Sequence, residues 1–417
     1  MRLKASLLVA LLSTAPMRLS AQTFDWPPAM PVFPEKKNLD KLREAYRDPK
    51  AFTAAPSRVD AAAIIVFDPL PGDGDKEKLF FKKLFDKLQS SAEGRRIVEG
   101  LAGEYTLSGM KLRVQLADFP GSTVVVNKDG VEEIGGRARA YSFPASGLYK
   151  LNKVVMQFKD QDAALRDAAA NAGHELTHIR NLAELKRRTR GAYTSVWSYD
   201  VRDELEARVE GWIVATELGT KGRPNVYSEE IRGYLDDPAG YLKDFGTAPS
   251  YADSFDGAGM GDPIGSLKKR VDGVQSRIAD LKDDLPTLKF LSWAVEHLKT
   301  AHGASGLDDV RDTIDDELQT YASLKSLQAA QARLSSAGGA AVLAQMKRAA
   351  ADPEYNMVPA RLTEILGRLK AALKRTPPPP APPERKGQLT MAQFRAQVAS
   401  DRKAHPEHWR DAPPLAQ

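Results

Sequence analysis

The 417-residue chain contains no cysteine. That removes disulfides, thiolate metal ligands and a lipid-bearing cysteine behind a leader, so a metal would have to be held by histidine and carboxylate. Histidine itself is scarce, with six in the whole chain. No apolar run approaches the roughly 20 residues that span a bilayer. An excess of one charge is missing too. The net charge is +5, and leaving out residues 1–21, which hold Arg2, Lys4 and Arg18 and no acid, brings it to +2. Such a balance gives no electrostatic ground for nucleic acid or an anionic membrane surface as partner.

What is present falls into blocks. Arg2 and Lys4 precede the apolar run 5–12 and small residues ending near Ser20-Ala21. This is the layout of a secretory signal peptide over 1–21, and it sets the expectation of a secreted or periplasmic protein. Residues 22–58, rich in proline and charge, read as a leader or tether. In 59–220, β-type segments are expected at 62–67, 111–116, 123–127, 137–143 and 153–158. Helices are expected at 76–89, 91–101, 162–186 and 199–218. Residues 221–262 read as connecting loops. From Ile264, apolar residues repeat at three- and four-residue steps through Leu285, where Pro286 is expected to stop that helix and open the next. Further helices at 287–301, 307–334, 339–350 and 359–373 predict a helical bundle over 263–375. A proline-rich spacer and tail fill 376–417, where 391–403 has the pattern of one short helix and His405-Pro406-Glu407-His408 reads as an unstructured end.

The residues with the most chemical content are His174-Glu175-Leu176-Thr177-His178. Two histidines four apart lie on one face of a helix and suit a single metal ion, and the adjacent glutamate reaches a water on that ion. Asp160 and the alanine-rich run 163–172 place the motif inside a helix. Hydrolytic zinc usually keeps three protein ligands and one open position. His174 and His178 supply two, with Glu175 as the expected general base. For the third donor, three carboxylates stand open. Glu184 would serve if the chain turned at Asn181. Glu206 and Glu204 would serve if the second helix packed against the motif helix. Glu204 is favoured because Glu204, Ala207, Gly211 and Ala215 share one face, and small residues there let two helices approach. Gly173 offers a matching small surface. Tyr193 and Tyr199 are candidates for stabilising an oxyanion, and the segment 153–158 for aligning an extended substrate by edge pairing.

On H-E-L-T-H at 174–178 and E-L-E-A at 204–207, the chain resembles the gluzincin group of zinc metallopeptidases. The likeness covers roughly residues 60–220 and rests on those two short motifs. It implies Zn2+ held by His174, His178 and Glu204, with Glu175 as base. The chain departs from the group at Arg208, where an Asp or Asn often follows the alanine. The partner that orients a ligand histidine is then expected from Asp200 or Asp203.

The fold class expected is α+β. A zincin-like domain, with a small mixed sheet, an active-site helix and a packed second helix, precedes an all-α bundle. The function expected is a secreted or periplasmic zinc metallopeptidase acting on a protein or peptide substrate. The alternative is a non-enzymatic extracytoplasmic interaction protein whose helical bundle takes a protein partner.

Overall fold

The computed structural model describes residues 64–108, 111–126, 132–135, 140–220, 237, 241, 245, 247–357, 361–375 and 387–414. The expected signal peptide, the leader and the run of prolines at 377–383 lie outside the described residues. The protein is mixed α+β and mostly helical, and it divides into two units. The first takes in the described residues among 64–220 and 351–375, the second those among 237–350 and 387–414.

The first unit opens with β1 (Ile65–Phe67), α1 (Asp75–Leu88) and α2 (Ala92–Ser108). The strands β2 (Leu112–Ala117), β3 (Thr123–Val126), β4 (Glu132–Gly135), β5 (Ala140–Phe143) and β6 (Leu148–Asn152) follow. A four-stranded sheet runs β1-β2-β6-β5. Its β1–β2 and β2–β6 pairs are parallel and β6–β5 is antiparallel, which leaves β5 at an edge; β3 and β4 form a separate antiparallel pair. Two helices complete the frame of the site, α3 (Gln161–Thr189) and α4 (Val201–Leu218). Asp160 caps α3 by accepting from the Asp162 and Ala163 amides, and Asp200 caps α4 by accepting from the Arg202 amide. Carboxylates at these N-termini satisfy orphan amides and complement the helix dipole. One core joins Phe81, Leu84 and Leu88 of α1, Ile97 and Leu101 of α2, Val114 and Leu116 of β2, Tyr149 and Leu151 of β6, and Ala168, Ala172 and Leu176 of α3.

The second unit is helical: α5 (Gly257–Gly261), α6 (Pro263–Ala279), α7 (Leu285–His302), α8 (Asp308–Ser335) and α9 (Gly339–Ala351). The chain then returns to the first unit as α10 (Pro353–Met357) and α11 (Leu362–Arg375), and α12 (Met391–Ala404) belongs to the second. Among the described residues, no helix is long and apolar enough to cross a membrane.

Several expectations are corrected. The apolar stretch 153–158 is not a strand: the Asn152 side chain accepts from the Val154 amide and starts a 3-10 helix, Lys153–Gln157. The strand lies just before it, at Leu148–Asn152, where Tyr149 and Leu151 alternate into the core. Glycine at position 100 does not end α2. A side chain there would meet the Arg180 Cδ at 3.0 Å, so the glycine makes room for that arginine inside a continuing helix. The seam from Ile264 stops at Ala279, before Pro286, which sits in the first turn of α7 behind the N-cap Asp284. The bundle does not extend to residue 375, because 351–375 packs into the first unit. Nor are residues 405–408, which follow the expected short helix, unstructured. Phe394, Val398 and Trp409 are buried in the core of the second unit, and Pro406–Trp409 is a 3-10 helix.

Candidate metal centre

His174 and His178 lie one turn apart on α3, their rings nearly perpendicular with centroids 4.8 Å apart. Their Nε2 atoms are 3.2 Å from each other. Glu204, in the first turn of α4, completes a triangle: its Oε1 lies 3.8 Å from His174 Nε2 and its Oε2 3.2 Å from His178 Nε2. Donors bound tetrahedrally at 2.0–2.1 Å are separated by about 3.3 Å; the Nε2–Nε2 and His178–Glu204 separations are close to that, while His174 meets the other Glu204 oxygen at a longer 3.8 Å. All three side chains are partly exposed.

The approach of the two helices is set by small residues. A Cβ on Gly211 would lie 3.3 Å from the Ala170 carbonyl and 3.3 Å from the His174 Cβ, and one on Gly173 would lie 3.1 Å from Val214. Ala207 and Ala215 are buried in the same α4 stripe. The face expected from Glu204, Ala207, Gly211 and Ala215 is therefore the one that meets α3.

The other expected carboxylates are engaged elsewhere. Helix α3 continues through Asn181 to Thr189, so no turn brings Glu184 back; it binds Arg188 and Arg361. Glu206 is buried against Arg180 and Arg361.

Around the triangle the hydrogen bonds are directional. Asp203 Oδ2 lies 2.6 Å from His178 Nδ1. A carboxylate there holds the ring proton on Nδ1 and leaves the Nε2 lone pair for a cation. Asn181 Nδ2 donates to the other Asp203 oxygen at 2.9 Å, and Arg361 Nη2 donates to Asn181 Oδ1 at 2.8 Å. Arg208, the position that departs from the gluzincin pattern, donates to Glu204 Oε1 at 2.9 Å. Of the two aspartates expected to orient a histidine, Asp203 does so, while Asp200 caps α4 and holds Arg202.

Glu175 lies between the histidines and the sheet, with one carboxylate oxygen within 4.8 Å of a ring nitrogen of each of His174 and His178. Ser142 on β5 donates to its Oε2 at 2.6 Å. Nothing in the local sequence marks Ser142, because it reaches Glu175 from a strand 33 positions earlier. Tyr193 packs edge-on against Tyr355 of α10, and Tyr199 lies in the 3-10 turn that precedes α4.

The charges suit cation binding. Burial holds the His174 ring below its ordinary pKa. Burial opposes protonation of His178, but the Asp203 and Glu204 carboxylates lift it well above. Burial would raise Glu204, yet His174, His178 and Arg208 hold it well below the carboxylate range. A cation placed among these groups would replace the proton that the carboxylates now draw onto His178.

Beneath the site, charged side chains hold four helices together. Arg180 of α3 meets Glu206 at 2.7 Å and Glu210 at 3.0 Å; Arg361 meets Glu184 at 2.6 Å and Glu206 at 3.0 Å. Arg368 of α11 meets Glu93 of α2 at 2.9 Å and Glu210 at 3.2 Å. No family model, no curated protein and no solved structure matches this chain.

Proposed function

We propose that the chain is a zinc-dependent peptidase with His174, His178 and Glu204 as metal ligands and Glu175 as general base. One observation carries the reading: two histidines and a glutamate from two helices converge with ring nitrogens and carboxylate oxygens 3.2–3.8 Å apart, beside a carboxylate that Ser142 holds in place. A zinc ion held there supplies Lewis acidity, which polarises a substrate carbonyl and acidifies water. Glu175 moves the proton. Ser142 engages Oε2, leaving Oε1 to accept a proton from the water whose hydroxide adds to the carbonyl carbon. The C–N bond then breaks, and Oε1 returns the proton to the departing amine. Asp203 keeps His178 in one tautomer, and Arg208 orients Glu204.

The edge position of β5 supports a peptide as substrate. Among the described residues this strand pairs on one side alone, with β6. Its unpaired backbone groups can take an extended chain as an added strand. Ser142 ties that edge to the general base. The substrate then runs beside the carboxylate, a role first expected of 153–158. The proposal includes the secreted or periplasmic setting expected from residues 1–21.

Two measurements test it. The purified chain is expected to hold zinc at this site, and His174→Ala to lose it. Glu175→Gln is expected to keep zinc while peptide hydrolysis falls at least about 100-fold. Cleavage that persists in Glu175→Gln removes the assigned mechanism. A chain with neither zinc nor hydrolysis returns the reading to an extracytoplasmic interaction protein acting through its helical unit.

A further inference from the structure

Four of the chain's six histidines lie in the second unit, and they come from two segments far apart in sequence. His297 and His302 belong to the last turns of α7, and His405 and His408 follow α12. The ring centroids of His297, His302 and His408 form a nearly equilateral triangle with sides of 6.0, 6.4 and 6.1 Å. One ring nitrogen from each lies within 4.8 Å of the others. His405 stacks on His408 at 5.2 Å.

Aromatic packing explains part of this cluster. His297 stacks on Trp293 at 4.7 Å and meets Trp409 at 4.9 Å. Packing does not explain the Nε2 of His297, which is buried with no hydrogen-bond partner. A buried ring nitrogen without a partner is costly and uncommon, and a metal ion would satisfy it. Asp401 adds a supporting carboxylate. Its Oδ1 lies 3.2 Å from His302 Nε2, and its Oδ2 accepts from Trp409 Nε1 at 2.7 Å. Carboxylates commonly stand behind metal-bound imidazoles in this way. Donors around a tetrahedral zinc ion are about 3.3 Å apart, so the cluster must tighten by up to about 1.5 Å. His302 and His408 are exposed, and rotation of their rings can close that gap.

We propose that His297, His302 and His408 bind one divalent transition-metal ion, which pins the end of the chain onto α7. Imidazole-only donors suit ions of the zinc, nickel and copper kind and disfavour calcium or magnesium. The site is independent of the peptidase reading, because it shares no residue with the His174 centre.

The test uses the full chain, stripped of metal, with His174→Ala/His178→Ala as background so that the first centre cannot report. Zinc alone is titrated against a chromophoric chelator. The background chain is expected to take up one zinc with roughly micromolar affinity or tighter. Adding His408→Ala is expected to weaken that uptake at least about 10-fold. His408 is exposed, so the metal-free melting temperature should be the same with and without this change. Zinc should raise the melting temperature of the background chain and not that of the triple variant. In the otherwise native chain, His297→Ala/His408→Ala should lower zinc content by one ion. No uptake by the background chain below about 100 µM zinc, or uptake that His408→Ala leaves unchanged, overturns the proposal.

Discussion

At the scale of single residues, the candidate centre depends as much on what orients its donors as on the donors themselves. Asp203 fixes the His178 tautomer, and Asn181 fixes Asp203. Asp203→Ala is therefore expected to lower zinc affinity about 10- to 100-fold while leaving all three proposed ligands in place. Chelator competition measures this, and affinity equal to that of the native chain would remove the orienting role. His174 and His178 could be read as candidates directly, because a helix puts positions four apart on one face, and Glu175 because it adjoins the first of them. Glu204 was one of three carboxylates on the sequence, and the structure places it alone of the three at the histidine pair. Asp203 was legible as one of two candidates. Ser142 and Arg361 were not, since each reaches the site from an element whose position depends on the whole fold.

At the scale of elements, the α3–α4 contact decides the ligand geometry. It rests on glycine and alanine at positions 173, 207, 211 and 215. Gly211→Val would drive methyl groups toward the Ala170 carbonyl and the His174 Cβ and amide nitrogen, which a Cβ already meets at 3.3, 3.3 and 3.6 Å. A loss of about 1–3 kcal/mol in stability is expected, as for other overpacked contacts, together with weaker zinc binding. Thermal melts and zinc titration measure the two separately. A variant with native melting temperature and native zinc affinity would show that the helices tolerate separation. The strand elements teach a different lesson. The segment 153–158 was read as a strand, but the extended stretch is 148–152, and the change of conformation rests on a single side chain, Asn152, bonding two residues ahead.

At the scale of the molecule, the first unit is discontinuous, and its buried charges come from both pieces of chain. Arg361 and Arg368 arrive after the chain has built most of the second unit, and they neutralise Glu184, Glu206, Glu210 and Glu93. Arg361→Met would strand buried carboxylates, and a loss of about 3–5 kcal/mol is expected by urea denaturation. A chain ended at residue 350 should fail to hold zinc even though the motif is intact; one zinc kept by that fragment and lost on His174→Ala would refute this role of Arg361 and Arg368. The pH dependence follows from Glu184. Burial pushes its carboxyl up, but Arg361, Arg188 and Arg180 outweigh burial and hold it at about 2, below its ordinary value of 4.5. The unfolded chain binds the proton first. This contribution is therefore complete above about pH 4.5 and is lost as pH falls toward 2. Glu184→Gln should make the stability profile shallower across that window, and an unchanged slope would assign acid sensitivity to other groups.

The sequence by itself determined the motif helix, its start at Asp160, the small-residue face of the second helix and the run of helices after residue 263. These are local matters, set by periodicity, capping side chains and the absence of bulk. Only the tertiary structure decided which carboxylate meets the histidines and which strand lies at the sheet edge. It also decided that residues 351–375 complete the first unit and that four distant histidines gather in the second. Each of those outcomes depends on where separate segments pack, and burial and charge pairing between segments leave no periodic trace along the chain.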